Sequence, residues 1–119
     1  MKVLIVDDSK PIFMMVHQML SELGHEAHWA ENGQDGENKI TENGDYDLVL
    51  LDWNMPVMDG LEFLMKNEGN VFCDCPIVMM TTEKKPEKIQ KALKHGALDY
   101  IMKPFTVEIL ESKIEIVCD

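Results

Sequence analysis

Arginine is absent from this chain of 119 residues, and its 11 basic residues are all lysines. Against them stand 22 acidic residues, for a formal net charge of -11. Such a surface repels nucleic-acid phosphates and anionic lipids, so binding to nucleic acid or to a membrane is not expected. Long apolar runs are missing too. A membrane span needs roughly 20 apolar residues, whereas Val3-Leu4-Ile5-Val6 is stopped by Asp7-Asp8 after one strand length. The N-terminus therefore reads as neither a signal peptide nor an anchor, and a cytoplasmic location is expected. Cysteine is scarce and odd in number: Cys73, Cys75 and Cys118. Without an export signal, that argues for reduced thiols. Cys73-Asp74-Cys75 is one residue short of the usual zinc pair and has no second pair, so these read as unpaired loop cysteines. Repeats, low-complexity tracts and linkers are also lacking. Residues 1–119 are expected to form one domain, with no output domain after the last helix.

What is present is a regular alternation. The chain is 45% hydrophobic, enough for a conventional core. Val3–Val6, Leu48–Leu51 and Ile77–Met80 are short continuous apolar runs, as in strands buried on both faces of a parallel sheet. Glu26–Ala30 alternates polar and apolar, which suits an edge strand, and Leu98–Met102 reads as an outer strand. Between them lie helical patterns. After Ser9-Lys10-Pro11, apolar residues recur at Ile12, Met15, Val16, Met19, Leu20 and Leu23, with Ser9 as N-cap and Gly24 as stop. Gln34–Thr41 is a weak helix carrying Gly36. Gly60–Lys66 follows, with Leu61 and Leu64 facing inward, then Pro86–Lys94, closed by Gly96. Thr106 caps the last helix, whose stripe is Ile109, Leu110, Ile114 and Val117. Five strands alternating with five helices predict an α/β fold, a doubly wound parallel sheet with right-handed crossovers.

In such a sheet, ligands sit outside the carboxyl ends of the strands. The first apolar strand runs into Asp7-Asp8, the third into Asp52, the fourth into Thr81-Thr82 and the fifth into Lys103-Pro104. One rim thus gathers three carboxylates, a hydroxyl and an ammonium. Crowded carboxylates raise each other's pKa, so cations must hold them ionised. Lys103 supplies one charge. Mg2+, which takes oxygen ligands and keeps several waters, would supply two. A carboxylate, a divalent cation and a fixed ammonium suit phosphoryl transfer, where catalysis is mostly positioning and neutralisation of charge. An aspartate can itself be the nucleophile.

With these residues assembled, the chain resembles bacterial response-regulator receiver domains, especially the stand-alone chemotaxis type, CheY. Four motifs carry the resemblance: Val6-Asp7-Asp8-Ser9, Asp52-Trp53-Asn54-Met55-Pro56-Val57-Met58-Asp59-Gly60, Met80-Thr81-Thr82-Glu83 and Tyr100-Ile101-Met102-Lys103-Pro104-Phe105. The resemblance implies a flavodoxin-like (βα)5 fold of strand order 2-1-3-4-5, for which flavodoxin and CheY are reference cases. It implies that Asp52 is phosphorylated by a histidine kinase. Asp8, Asp52 and the Asn54 carbonyl would ligate Mg2+, with Asp7 acting through a water. Lys103 would pair with the phosphoryl oxygens, and a cis Lys103-Pro104 bond would be typical. Thr81 would donate its hydroxyl to the phosphoryl group while Tyr100 swings inward, a two-state switch. Asn54 and Glu83 would tune dephosphorylation by holding an in-line water, as in fast-decaying chemotaxis regulators. Trp53 would report metal and phosphate binding, and Met55-Pro56 and Asp59-Gly60 would shape the following loop. Chemotaxis signalling to the flagellar motor is the first expectation. A receiver in another phosphorelay, or one excised from a larger regulator, is the alternative.

Partners are expected on the face formed by the fourth helix, fifth strand and fifth helix: a histidine kinase, a flagellar motor switch protein and a phosphatase. Five of the 11 lysines, Lys84, Lys85, Lys88, Lys91 and Lys94, crowd one short stretch. Lys84, Lys88 and Lys91 share a helical face, suited to an acidic partner segment or simply to solvent. The fifth helix carries Glu108, Glu111 and Glu115 and lacks the arginines of charge-paired receiver dimers, so a monomer is expected. The arginine often found at the start of the first helix in chemotaxis regulators is replaced by Pro11-Ile12-Phe13, and Asn67–Cys75 matches poorly. His17, His25, His28 and His95 read as structural or surface residues, and the ten methionines mostly as core filler. An enzyme reading, a phosphatase with an aspartate nucleophile, is disfavoured because Asn54 stands where the general acid would be. A flavin module is disfavoured because Asp7-Asp8 would repel its phosphate. The chain is read as a phosphoacceptor switch catalysing only its own phosphotransfer and dephosphorylation.

Overall fold

The apolar runs form the strands and the amphipathic stretches the helices, in strict alternation. The computed structural model describes residues 1–118. The elements are β1 (Lys2–Val6), α1 (Lys10–Glu22), β2 (Glu26–Ala30), α2 (Gly33–Asn43), β3 (Leu48–Asp52), α3 (Gly60–Lys66), β4 (Ile77–Thr81), α4 (Pro86–Lys94), β5 (Asp99–Met102) and α5 (Val107–Val117). All strands are parallel, in the order β2-β1-β3-β4-β5. Among the described residues no helix is long and apolar enough to cross a membrane.

Side chains alternate across a strand, and here that alternation builds two cores. Val3 and Ile5, Leu48 and Leu50, Val78 and Met80, and Ile101 pack on Val16 and Leu20 of α1 and Leu110 and Ile114 of α5. Leu4 and Val6, Val49 and Leu51, and Ile77 and Met79 pack on the other side against Ile40 of α2, Phe63 and Leu64 of α3, and Ala92 of α4. Every residue of β3 and β4 is buried, as central parallel strands require, whereas β2 at the edge is half exposed.

Caps set the helix boundaries. Ser9 Oγ accepts from Ile12 N at 3.3 Å and Thr106 Oγ1 from Ile109 N at 3.3 Å, as expected. Asp59 and Glu62 form a reciprocal capping box at the start of α3. The second helix is longer than the sequence suggests. Asn32 caps it through Asp35 N at 2.8 Å, and it runs to Asn43 before Gly44 adopts φ 70°. Gly36 is a packing residue there: a Cβ would sit 3.1 Å from Val6 Cγ2. Two stripe expectations need correction. Phe63 rather than Leu61 is the fully buried partner of Leu64, and Ile109 is 47% exposed on the outer side of α5.

Candidate functional site

Strand parity explains which rim residues meet. Asp7 follows Val3 and Ile5, Asp52 follows Leu48 and Leu50, and Lys103 follows Ile101, so all three lean toward the α1/α5 side. Backbone hydrogen bonds carry the ladder one residue past the strand ends: Asp7 N donates to Ala30 O at 3.0 Å and Lys103 N to Thr81 O at 2.8 Å. Val6 is level with Leu51, which puts Asp7 beside Asp52. Lys103 Nζ then donates to Asp7 Oδ2 at 2.8 Å and to Asp52 Oδ1 at 3.0 Å. The Lys103-Pro104 bond is cis.

Asp7 is 1% exposed and Asp52 9% exposed, whereas Asp8 is open to solvent. One carboxylate oxygen from each of the three lies within 4.8 Å of the others. Both oxygens of Asp7 already have protein donors, Lys103 on Oδ2 and the backbone N–H of Ser9 on Oδ1 at 2.9 Å. The Asp8 carboxylate is exposed and, with an oxygen of Asp52, faces the metal-sized gap between the three carboxylates. Burial pushes the Asp52 carboxyl above its ordinary range; the Lys103 charge opposes this in part and the Asp7 charge adds to it. For Lys103, burial pulls the ammonium down, but the hydrogen bonds and charges of Asp7 and Asp52 outweigh it and hold it above its ordinary value. Three carboxylates against one ammonium leave two negative charges, and all the open donors are hard oxygens. This donor set fits Mg2+, which binds through one or two carboxylates and keeps its waters.

The remaining predicted residues stand apart from this group. Thr81 follows Ile77 and Met79, so it leans toward the α3/α4 side, where its side chain is buried. Its Oγ1 accepts from Glu83 N at 2.8 Å, which leaves the hydroxyl proton free to donate. Tyr100 is half-buried on the same side and, with Thr81, Trp53, Ile89 and Leu93, lines a cavity of about 10 Å3. That is about one water's worth of space, too little for an inward ring unless Thr81 or α4 moves. Glu83 faces α4 instead of the carboxylates. Its Oε1 accepts from Lys85 N at 3.0 Å and its Oε2 lies 3.4 Å from Lys88 Nζ. The first of these contacts and the Lys88 charge hold its carboxyl below the usual range. Asn54 is exposed in the loop after Asp52. Trp53 is half-buried, and its carbonyl accepts from Gly60 N at 2.8 Å. A Cβ on Gly60 would fall on the carbonyl oxygen of Asp52, so the glycine lets α3 start directly behind β3.

Two features were not read from the sequence. Trp29 on the edge strand donates its Nε1–H to the carbonyl of Asp7 at 2.7 Å and stacks on Phe13, with ring centroids 5.3 Å apart. It fixes the backbone of the acidic pair from outside. Val57, in the loop between Asp52 and α3, has φ 69°, a left-handed conformation that is strained for a β-branched residue. No local signal marks either, because both depend on contacts or loop geometry set by the fold.

The lysines of α4 and its leading loop are exposed, with Lys88 near Glu83. On α5, Lys113 bonds Asp99 at 3.1 Å, while Glu108, Glu111 and Glu115 face solvent.

The sequence profile of the response regulator receiver domain matches residues 3–115. Chemotaxis protein CheY1 of Helicobacter pylori (strain J99) is 41% identical over 119 residues, covering 98% of this chain and 96% of that protein. A chemotaxis protein CheY homolog of Campylobacter jejuni is 40% identical over 117 residues, 97% of this chain and 90% of that protein. The crystal structure of Vibrio cholerae chemotaxis protein CheY4 superposes with a TM-score of 0.88 at 38% identity, over 98% of this chain and 97% of that one.

Proposed function

Because the chain belongs to the response regulator receiver domain family, we propose that it is a phosphoacceptor switch charged on Asp52 by a histidine kinase. The observation that supports this most directly is the Lys103 ammonium held between Asp7 and Asp52 at 2.8 and 3.0 Å. It keeps the acceptor ionised against the burial that would protonate it. It also puts a positive charge where an arriving phosphoryl group brings negative oxygens.

In this reading a carboxylate oxygen of Asp52 attacks phosphorus on the kinase phosphohistidine. The P–O bond forms as the P–N bond breaks, and the imidazole leaves with the electron pair. Asp8, Asp52 and the Asn54 carbonyl would hold Mg2+, and Asp7, with its own oxygens already engaged, would hold one of the metal's waters. When bound, Mg2+ neutralises the carboxylates and the incoming phosphoryl oxygens. Lys103 pairs with a phosphoryl oxygen, and the Thr81 hydroxyl donates a hydrogen bond to another. Tyr100 follows Thr81 inward. Asn54 and Glu83 orient the water that later hydrolyses the acyl phosphate; Glu83 must first leave its contacts with Lys85 and Lys88.

The relatives' names, chemotaxis proteins, support chemotaxis over another phosphorelay; a flagellar motor switch protein and a phosphatase are the further partners in this reading. A monomer and a cytoplasmic setting go with this reading. The lysine-rich α4 face is the docking surface for an acidic segment. Lys88→Glu with Lys91→Glu should weaken partner binding at least about tenfold, and unchanged affinity in a binding isotherm would remove α4 from the interface.

The deciding experiment is intact mass after incubation with Mg2+ and a small phosphodonor. Gain of one phosphoryl group by the wild type, abolished by Asp52→Asn or by chelation, is expected. No gain under any condition would overturn the proposal.

A further inference from the structure

The loop between α3 and β4 is built around one buried amide. Asn67 closes α3 and is 6% exposed. Its Nδ2 donates to Cys73 O at 2.9 Å, and its Oδ1 accepts from Phe72 N at 3.0 Å and Cys73 N at 2.9 Å. The clamp fixes the Cys73 backbone and presses its side chain into the core beside Phe63 and Ile77. Two residues on, Cys75 turns back, and the sulfurs stand 3.3 Å apart. Cys73 is 3% exposed, whereas Cys75 is half-buried. Cys75 opens onto two surface clefts: one of about 220 Å3 bounded by Glu68, Lys94 and His95, the other of about 190 Å3 bounded by Asn70 and Leu98. Cys73 is therefore the sheltered member of the pair and Cys75 the one that lies at the surface clefts.

We propose that Cys73 and Cys75 are a redox modification site, a dithiol that a hydroperoxide closes into an intrachain disulfide. A disulfide needs an S–S distance of about 2.05 Å, so the sulfurs have only about 1 Å to travel. The thiol of Cys75 hydrogen-bonds Cys73 and pulls the Cys73 thiol below its ordinary value, against burial. Cys75 is pushed up by the same contact, by burial and by the Cys73 charge. Both shifts put the first thiolate on Cys73 with the Cys75 proton hydrogen-bonded to it, and passing that proton across the 3.3 Å contact moves the charge to Cys75. With the charge on the accessible Cys75, its sulfur attacks a peroxide oxygen. The O–O bond breaks, and the departing oxygen takes up a proton and leaves, as water from hydrogen peroxide and as the alcohol from an organic hydroperoxide. The product is a sulfenic acid on Cys75. The Cys73 sulfur then attacks the Cys75 sulfur, its proton passing to the leaving hydroxyl; the S–S bond forms as the S–O bond breaks, and the hydroxyl leaves with that proton as water. The two thiols are oxidised by two electrons and the peroxide is reduced by two. The new ring encloses only Asp74 and sits directly before β4, the strand that ends in Thr81.

The test uses the full chain carrying Cys118→Ser, which removes the third thiol from the end of α5. Reduced protein is treated with hydrogen peroxide and examined by intact mass and peptide mapping. Loss of two hydrogen atoms, mapped to a bond between Cys73 and Cys75, is expected, and Cys75→Ser should abolish it. The same bond is then equilibrated in glutathione redox buffers with the chain folded and with it unfolded in urea. Because the fold holds the sulfurs near bonding distance, the folded chain should show an effective thiol concentration at least about tenfold higher. An equal or lower value in the folded chain would overturn the proposal. So would peroxide products that are sulfinic acid or intermolecular disulfide without the internal bond.

Discussion

At the scale of single residues, Asp52 is held in a conflicted environment. A folded-state pKa above the ordinary value, near 3.8, means that the folded chain binds this proton more tightly than the unfolded chain. The carboxyl therefore contributes stability below that pH, and the contribution is lost as pH rises through its folded pKa. Asp52→Asn removes the charge and the dependence together. In metal-free buffer the variant should match the wild type in melting temperature near pH 4 and exceed it at pH 7. A constant difference across that range would show that Asp52 does not titrate as described. Glu83 gives a second test. In the charged protein, Glu83→Ala should slow loss of the phosphoryl group by about tenfold, since only a positioned water is lost. An unchanged decay rate, followed by intact mass after removal of the donor, would free Glu83 from that role. Asp7, Asp8, Asp52 and Lys103 were legible in the sequence because each stands where an apolar strand stops. Asn67 was not: it looks like any polar residue after a helix, and its three bonds exist only once the loop has closed around it.

At the scale of elements, the pattern of runs and stripes disclosed nearly every strand and helix, because a period of 2 or 3.6 residues needs no tertiary information. The second helix was the least legible. Gly33 and Gly36 lower its propensity, yet they are the residues that let it approach the rest of the molecule. A Cβ on Gly33 would come within 2.7 Å of the Met58 carbonyl oxygen. Close backbone approach leaves no trace in a sequence other than the glycine itself, which reads equally well as a breaker. Gly60 has the same character behind β3. Gly60→Ala should lower stability by about 1–3 kcal/mol in denaturant unfolding, because its methyl group would meet the Asp52 carbonyl. A variant as stable as the wild type would mean that α3 can back away from β3.

At the scale of the whole molecule, a chain of net charge -11 resists concentrating more carboxylates at one edge of its sheet. Mg2+ should therefore stabilise the fold beyond simple screening. At ten times its dissociation constant it should add about 1.4 kcal/mol. Sodium chloride of equal ionic strength should not match this, and Asp8→Asn should remove it. Equal stabilisation by both salts in thermal melts would mean that the acidic edge has no specific site.

The sheet itself is a partition. Asp52, Asp7 and Lys103 lean to one side of it, and Thr81 and Tyr100 to the other. In the switch proposed above, receiving and announcing are done in separate rooms, joined by a doorway at the end of one strand. A chain with that doorway blocked, as in Thr81→Ala, would still take in the message and stay mute.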